Sequence, residues 1–182
     1  MKKLIYMVVM IVCFITSNVN ASNRVEIVEG NVVFTLPDVW EKQPIKGSPK
    51  MDASDPLFLV WKREGIVDKK GTSVIPGLNI VIFNIQKNAD IVLLSHLLMK
   101  RRGWPFKGFL SFEEDGVVLP NSLAYLTEFK ANNEMLLKCF VIHSINNGIF
   151  VEVALSATDD IFAQVEPEFR DIIKSIHLIK NP

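Results

Sequence analysis

The dipeptide Asn147-Gly148 constrains the fold of this chain most, because it separates two runs of alternating apolar residues. The first run is MLLKCFVIHSI, residues 135–145, and the second is IFVEVALSA, residues 149–157. Asn-Gly between such runs is typical of a two-residue turn that joins antiparallel strands. The sequence therefore predicts a β-hairpin with one fixed register.

The register of this hairpin places a cysteine and a histidine on the same, mixed face. A two-residue turn gives the pairs Asn146 with Ile149, His143 with Glu152, Val141 with Ala154 and Cys139 with Ser156. The other face is a continuous apolar layer of Phe140, Ile142, Val151, Val153 and Leu155. Residues four apart on a strand are separated by about 13 Å, whereas proton transfer needs about 3 Å. We therefore expect Cys139 to be a small buried hydrophobe and His143 to pair with Glu152, and not to form a nucleophile with its base.

A more distant partner for Cys139 is an open alternative, since the sequence does not place His96 or His177. The chain contains no Gly-rich phosphate loop, no G-x-S-x-G elbow, no H-E-x-x-H motif and no EF-hand spacing. We accordingly predict no catalytic residue, no metal ligand and no cofactor, and we expect that the protein is not an enzyme.

The run GLNIVIFNI, residues 77–85, predicts a central strand, because apolar residues occupy both of its faces. Further strands are predicted at residues 25–28, 32–36, 57–61 and 122–130, the last of which ends at a turn at Asn132-Asn133. A strand that is apolar on both faces needs a covering layer on each side of its sheet. Two segments have the spacing of helices and can supply these layers.

The first predicted helix lies in NADIVLLSHLLMKRRG, residues 88–103, with a cap at Asn88 or Asp90. Its apolar stripe is predicted to consist of Ile91, Leu94, Leu97 and Leu98. The second helix lies in residues 159–176, where Pro167 is expected to mark a break or a new first turn. The order strands, helix, strands, helix predicts an α+β fold with an antiparallel β-sheet flanked by helices.

The N-terminus has the features of a secretory signal peptide. Lys2 and Lys3 precede a short apolar run, and Val19 and Ala21 fit a cleavage site after residue 21. We expect an exported protein, periplasmic or secreted, whose residues 22–182 form a single domain without stable membrane insertion. Loss of the two lysines leaves 18 basic against 20 acidic residues, which does not suggest a nucleic-acid partner.

The segment KRRGWPFKGF, residues 100–109, interleaves aromatic and basic side chains outside any periodic pattern. Protein-binding hot spots are rich in Trp and Arg. We therefore nominate Arg101, Arg102, Trp104 and Phe106 as partner-binding residues. The alternative is that the aromatic rings pack on the edge of the sheet while the charges only complete the dipole of the preceding helix.

Two short stretches, VVFTLPDVW at residues 32–40 and PEFRDIIKSIHL at residues 167–178, together with the order of the elements, resemble the PsbP/Mog1-like domains. These include the secreted bacterial DcrB-like and LpqN-like branches. The resemblance rests on the Pro37-x-x-Trp40 turn and on Ile172-x-x-Ser175 followed by a short strand. It implies an α/β/α sandwich and a non-catalytic binding or assembly role, which in some periplasmic members is that of an immunity protein.

Three functions follow from these observations. The first is an exported interaction module of the bacterial cell envelope, an adaptor, chaperone or immunity-type protein that binds another envelope or secreted protein. The second is a small-molecule or lipid carrier that uses a cleft between the sheet and a helix. The third is a hydrolase that uses Cys139, His143 or a pair of acidic residues that the sequence does not single out.

Overall fold

The computed structural model describes residues 22–45, 56–111, 116–117, 119–131 and 135–179. The predicted signal peptide and the predicted turn at Asn132-Asn133 lie outside this part of the chain.

A seven-stranded sheet, antiparallel in each strand pair, forms the centre of the molecule. Its strands, in spatial order, are β3 (Trp40–Lys42), β4 (Leu57–Arg63), β7 (Gly77–Asn84), β11 (Ile149–Thr158), β10 (Leu136–Asn146), β9 (Ser122–Lys130) and β8 (Phe106–Phe109). A smaller sheet contains β1 (Ser22–Ile27), β2 (Val32–Pro37) and β12 (His177–Leu178), and a two-stranded ribbon contains β5 (Ile66–Val67) and β6 (Ser73–Val74). The predicted central strand is β7, which lies between β4 and β11.

The hairpin of β10 and β11 has the predicted turn and the predicted register. Asn147 and Gly148 both have positive φ, 51° and 82°, as a type I′ turn requires. His143 lies opposite Glu152 and Cys139 lies opposite Ser156. The pattern of residue types around one dipeptide was therefore sufficient to fix the longest hairpin of the sheet.

Helix α2, Asp159–Ser175, covers the apolar face of the hairpin and packs on β2, β10 and β11. Its buried side chains are Ile161, Phe162, Val165, Phe169, Ile172 and Ile173. Pro167 lies inside this helix, so the predicted break is wrong. A proline removes the hydrogen bond to the carbonyl four residues earlier, here that of Ala163. Because Pro167 and Ala163 both lie on the exposed side, water is able to hydrate that carbonyl and the helix continues.

Helix α1, Ile91–Arg102, covers the opposite face of the sheet over β9 and β10. The Asp90 carboxylate accepts hydrogen bonds from the N–H groups of Val92 and Leu93, and Gly103 ends the helix with a φ of 66°. The two helices therefore lie on opposite faces of the antiparallel sheet, which is the predicted α/β/α arrangement.

The orientation of α1 differs from the prediction. Leu97 belongs to the predicted apolar stripe but is exposed, and the one fully buried side chain of the helix is Ser95. The reason lies in the sheet, because the strand beneath α1 presents the imidazole of His143, and the hydroxyl of Ser95 is able to bond to it. The helix is rotated toward this polar contact.

Candidate functional site

A cluster of polar side chains is buried between α1 and the hairpin. We call Ser95, Arg102, Tyr125, His143 and Glu152 the polar cluster. The His143 Nε2 atom lies 3.0 Å from Glu152 Oε2, and its Nδ1 atom lies 2.8 Å from Ser95 Oγ. Arg102 donates from one nitrogen to both Glu152 oxygens at 2.5 Å, and the Tyr125 hydroxyl lies 3.4 Å from His143 Nε2. The predicted cross-strand pair is thus part of a larger network that joins α1 to three strands, β9, β10 and β11.

The charge of Glu152 is stabilised inside this cluster. Burial alone would raise the pKa of Glu152, but the hydrogen bonds from His143 and Arg102 and the charge of Arg102 outweigh that effect and hold its pKa below the usual value. An ionised carboxylate only accepts hydrogen bonds, so His143 Nε2 carries the proton that points at Glu152. Burial, with the Glu152 charge adding to it, raises the pKa of Tyr125 and of the Cys139 thiol. Both groups therefore stay neutral.

The order Ser95, His143, Glu152 has the contacts of a serine nucleophile with its base and acid, which sequence reasoning did not foresee. The geometry alone does not make it a reaction centre, because Ser95 and His143 are 0% exposed and Glu152 is 2% exposed. A substrate has no access to the Ser95 hydroxyl in this conformation. The cluster instead satisfies the polar groups that α1 and the hairpin bury together.

Cys139 lies in a small apolar group beneath α1 and is buried, as predicted. The two other histidines do not join it. His96 is exposed on α1, and His177 lies in β12 of the small sheet, where its ring contacts the backbone carbonyl of Ser175. The described residues contain no group of three His, Cys, Asp or Glu side chains arranged to hold a metal ion.

The four nominated partner-binding residues occupy two different environments. Arg102 retains 30% side-chain exposure, but its guanidinium is held by Glu152 and lies 4.7 Å from the centre of the Trp104 ring. Trp104 stacks on Phe129 at 5.0 Å and is half-buried. Arg101 is exposed, and so is Phe106. The structure thus brings Arg102 and Trp104 into contact at the end of α1, whereas Arg101 and Phe106 are exposed.

The outer side of α1 exposes three aliphatic residues beside the polar His96 and Lys100, and the predicted apolar stripe had placed one of the three, Leu97, in the core. Val92, Leu93 and Leu97 are 61%, 57% and 52% exposed. A serine between the leucine pairs 93–94 and 97–98 was the available signal, since a buried Ser95 turns the apolar residues on the opposite side of the helix toward solvent. The helix therefore presents aliphatic side chains where a surface helix normally presents polar ones.

A groove of about 380 Å³ runs between α1 and strands β4 and β7. The apolar side chains along it are Phe58, Val81 and Phe83 from the sheet and Leu94 and Leu98 from the helix. Arg101 and Arg102 line it at the C-terminal end of α1, and no acidic side chain is among the described residues that form it. The edge strand β8 carries Phe106 and Phe109, which are both exposed and whose ring centres lie 4.7 Å apart.

Comparisons with known proteins identify the fold. No family model and no curated protein matches the chain. The solution structure of cyanobacterial PsbP (CyanoP) from Synechocystis sp. PCC 6803 matches with a TM-score of 0.56 at 15% identity, over 90% of this chain and 95% of that one. A mutant of the protein Mog1 matches with a TM-score of 0.50 at 10% identity, over 88% and 97% of the two chains.

A protein of unknown function from Pseudomonas aeruginosa, PA94, also matches, with a TM-score of 0.50 at 12% identity over 88% of this chain and 98% of that one. The chain is thus an α+β sandwich built on an antiparallel sheet. More particularly, its fold is PsbP/Mog1-like, which confirms the fold that the sequence motifs predicted. Neither of the two helices in the described part has the length and hydropathy of a membrane-spanning segment.

Proposed function

We propose that this chain is an exported, non-catalytic protein-binding module of the bacterial cell envelope, of the adaptor, chaperone or immunity type. Its binding surface is the outer face of α1, and its partner is another envelope or secreted protein. We name this surface the α1 face and define it by Val92, Leu93, Leu97 and Arg101.

The observation that carries the proposal is the exposure of three aliphatic side chains on one short helix. Burial of a large aliphatic side chain contributes about 1.5–3 kcal/mol, so a helix that leaves three of them in water forgoes a large stabilisation. Contiguous apolar surface that is rimmed by polar residues marks an interaction site. Lys100 and Arg101 provide such a rim at the end of the helix.

A protein partner fits this surface better than a membrane does. The α1 face is flanked by a groove, and a flat lipid surface cannot fill a groove. The expected exported chain also has an excess of two acidic residues, which disfavours attraction to anionic lipid. The export itself rests on the N-terminal segment, with its two lysines, its apolar run and its small residues before the predicted cleavage site.

Affinity capture with matched variants tests the proposal. The exported protein is used as bait for the envelope fraction of the producing cell, beside a variant that carries Leu93→Glu and Leu97→Glu. The control is Val67→Glu, which changes an exposed aliphatic residue on the β5–β6 ribbon. The same partner should be retained by the wild type and the control and should bind the double variant at least tenfold more weakly, about 1.4 kcal/mol. Equal capture by all three proteins would contradict the assignment of the α1 face.

A carrier function is the second candidate, and the groove favours it. Its aromatic and aliphatic walls match the tail of a fatty acid, and the guanidinium group of Arg101 matches the carboxylate. Native mass spectrometry of the exported protein distinguishes the two functions, because a carrier retains a co-purifying lipid at stoichiometric amount and a protein-binding module does not.

A further inference from the structure

We propose that the groove beside α1 takes one amphipathic helix of the partner protein, which inserts aliphatic side chains into the groove and places Asp or Glu side chains next to Arg101. This inference rests on the proposed function and specifies the chemistry of the partner.

Among the described residues, the layer that covers this face of the sheet is incomplete. α1 lies over β9 and β10, whereas β4 and β7 lie beyond it. Phe58 is opposite Val81, and Val81 is opposite Glu152, so all three side chains point to the side of the sheet on which α1 packs. Phe58 is nevertheless 49% exposed. The apolar face of the sheet thus extends past the helix that covers its other half.

The uncovered width matches one helix. Neighbouring strands lie about 4.8 Å apart, so β4 and β7, which carry Phe58 and Phe83, present a strip about 10 Å wide. An α-helix with its side chains is about 10 Å in diameter, and packed helices lie 8–10 Å apart. A second helix laid beside α1 therefore completes the layer without displacing any of the elements described above.

The walls of the groove suit aliphatic side chains. Leu94 and Leu98 are four residues apart on α1 and form a ridge along one wall, and Phe58 and Phe83 form the floor. Side chains of a neighbouring helix at positions i, i+3 and i+4 fit between such a ridge and an aromatic floor. The same helix covers Leu97 at the top of α1, which a small molecule inside the groove would leave in water.

The charges of Arg101 and Arg102 determine which side chains the partner helix should carry beside the groove. Arg102 is neutralised by Glu152, but within the described part of the chain no ion pair engages Arg101. A helix that runs antiparallel to α1 places its first turn beside Arg101. Acidic residues stabilise the first turn of a helix, so carboxylates at that position serve both the partner helix and the contact with Arg101.

Photo-crosslinking in the producing cell tests this inference. A photoreactive phenylalanine analogue replaces Phe58 in the groove, Leu97 on the α1 face, or Val67 on the β5–β6 ribbon as the control. We expect the Phe58 position to crosslink to a second exported protein, and the crosslinked segment to carry aliphatic residues at i, i+3 and i+4 with Asp or Glu within one turn. Arg101→Glu should reduce the crosslink at least tenfold, and Arg101→Lys should keep most of it.

A crosslink from Phe58 to lipid, to a second copy of this chain or to a segment without carboxylates would overturn the inference, as would no crosslink at all. The two proposals fail separately. Crosslinking from Leu97 but not from Phe58 leaves the α1 face as the binding surface and refutes the helix in the groove. Crosslinking from neither position refutes both. An unchanged melting temperature for each variant excludes loss of the fold as the cause.

Discussion

The two helices on opposite faces of the sheet differ in which side chains they bury and which they expose. α2 buries six large apolar side chains and exposes polar ones, whereas α1 fully buries only a serine and exposes three aliphatic residues. α2 has the composition of a helix that stabilises a core, and α1 has that of a helix held in place by polar contacts so that its apolar side remains available. The difference indicates that the fold depends more on α2, and it is the reason why we propose α1 as the partner-binding helix.

The sharpest test of this difference is to replace one large side chain in each helix by alanine. Phe169→Ala in α2 should lower the free energy of unfolding by about 3–5 kcal/mol, because Phe169 is fully buried against Phe140 and Phe162. Leu97→Ala in α1 is the matched control and should change it by less than about 0.5 kcal/mol. Urea denaturation measures both values. Equal losses would mean that α1 contributes to the core as much as α2.

A smaller loss in the free energy of unfolding is expected when the polar contacts between α1 and the sheet are removed. Glu152→Ala removes the partner of both Arg102 and His143 and leaves the imidazole without its acceptor. We expect a cost of about 2–3 kcal/mol, less than for a fully enclosed ion pair because Arg102 can turn to water. Glu152→Gln keeps the shape and some hydrogen bonds and should cost less. A neutral effect of Glu152→Ala would show that apolar contacts alone hold α1.

Low pH should weaken the contacts of Glu152 with Arg102 and His143, with a smaller loss of stability than Glu152→Ala causes. The pKa of Glu152 in the folded protein is lower than its ordinary value of 4.5, so its contribution to stability is complete above about pH 4.5 and is lost as the pH falls through the folded pKa. The difference in unfolding free energy between the wild type and Glu152→Gln should therefore narrow below that pH. A difference that stays constant down to pH 3 would show that Glu152 does not titrate with folding.

The smallest expected effect concerns the outer side of α1. Leu97→Glu should leave the free energy of unfolding within about 0.5 kcal/mol of the wild type, since its side chain is already in water. The far-ultraviolet circular dichroism and the melting temperature should match those of the Val67→Glu control. A substantial loss of stability would place Leu97 in a contact that the exposed position does not indicate.

The local pattern predicted the elements whose partners are close in sequence. Asn147-Gly148 set the register of β10 and β11, and with it the contact of His143 with Glu152. The pattern could not predict Ser95 or Arg102 as members of the same cluster, because they reach it only when α1 packs across strands about fifty residues away. Nor did it predict β8, whose four residues follow Pro105 without alternation and become a strand only by pairing with β9.

The pairing of β12 with β2 has a consequence for how the chain acquires its structure. The Thr35 N–H donates to the Ser175 hydroxyl across 140 residues of sequence, and β12 closes the small sheet directly after it. Contacts so distant in sequence make folding slow, because the closure entropy of a long loop must be overcome before they form. The small sheet therefore cannot close until the chain has been synthesised beyond Leu178. Before that point the chain is incompletely folded, and an incompletely folded chain can still pass through a narrow pore, as the proposed export would require.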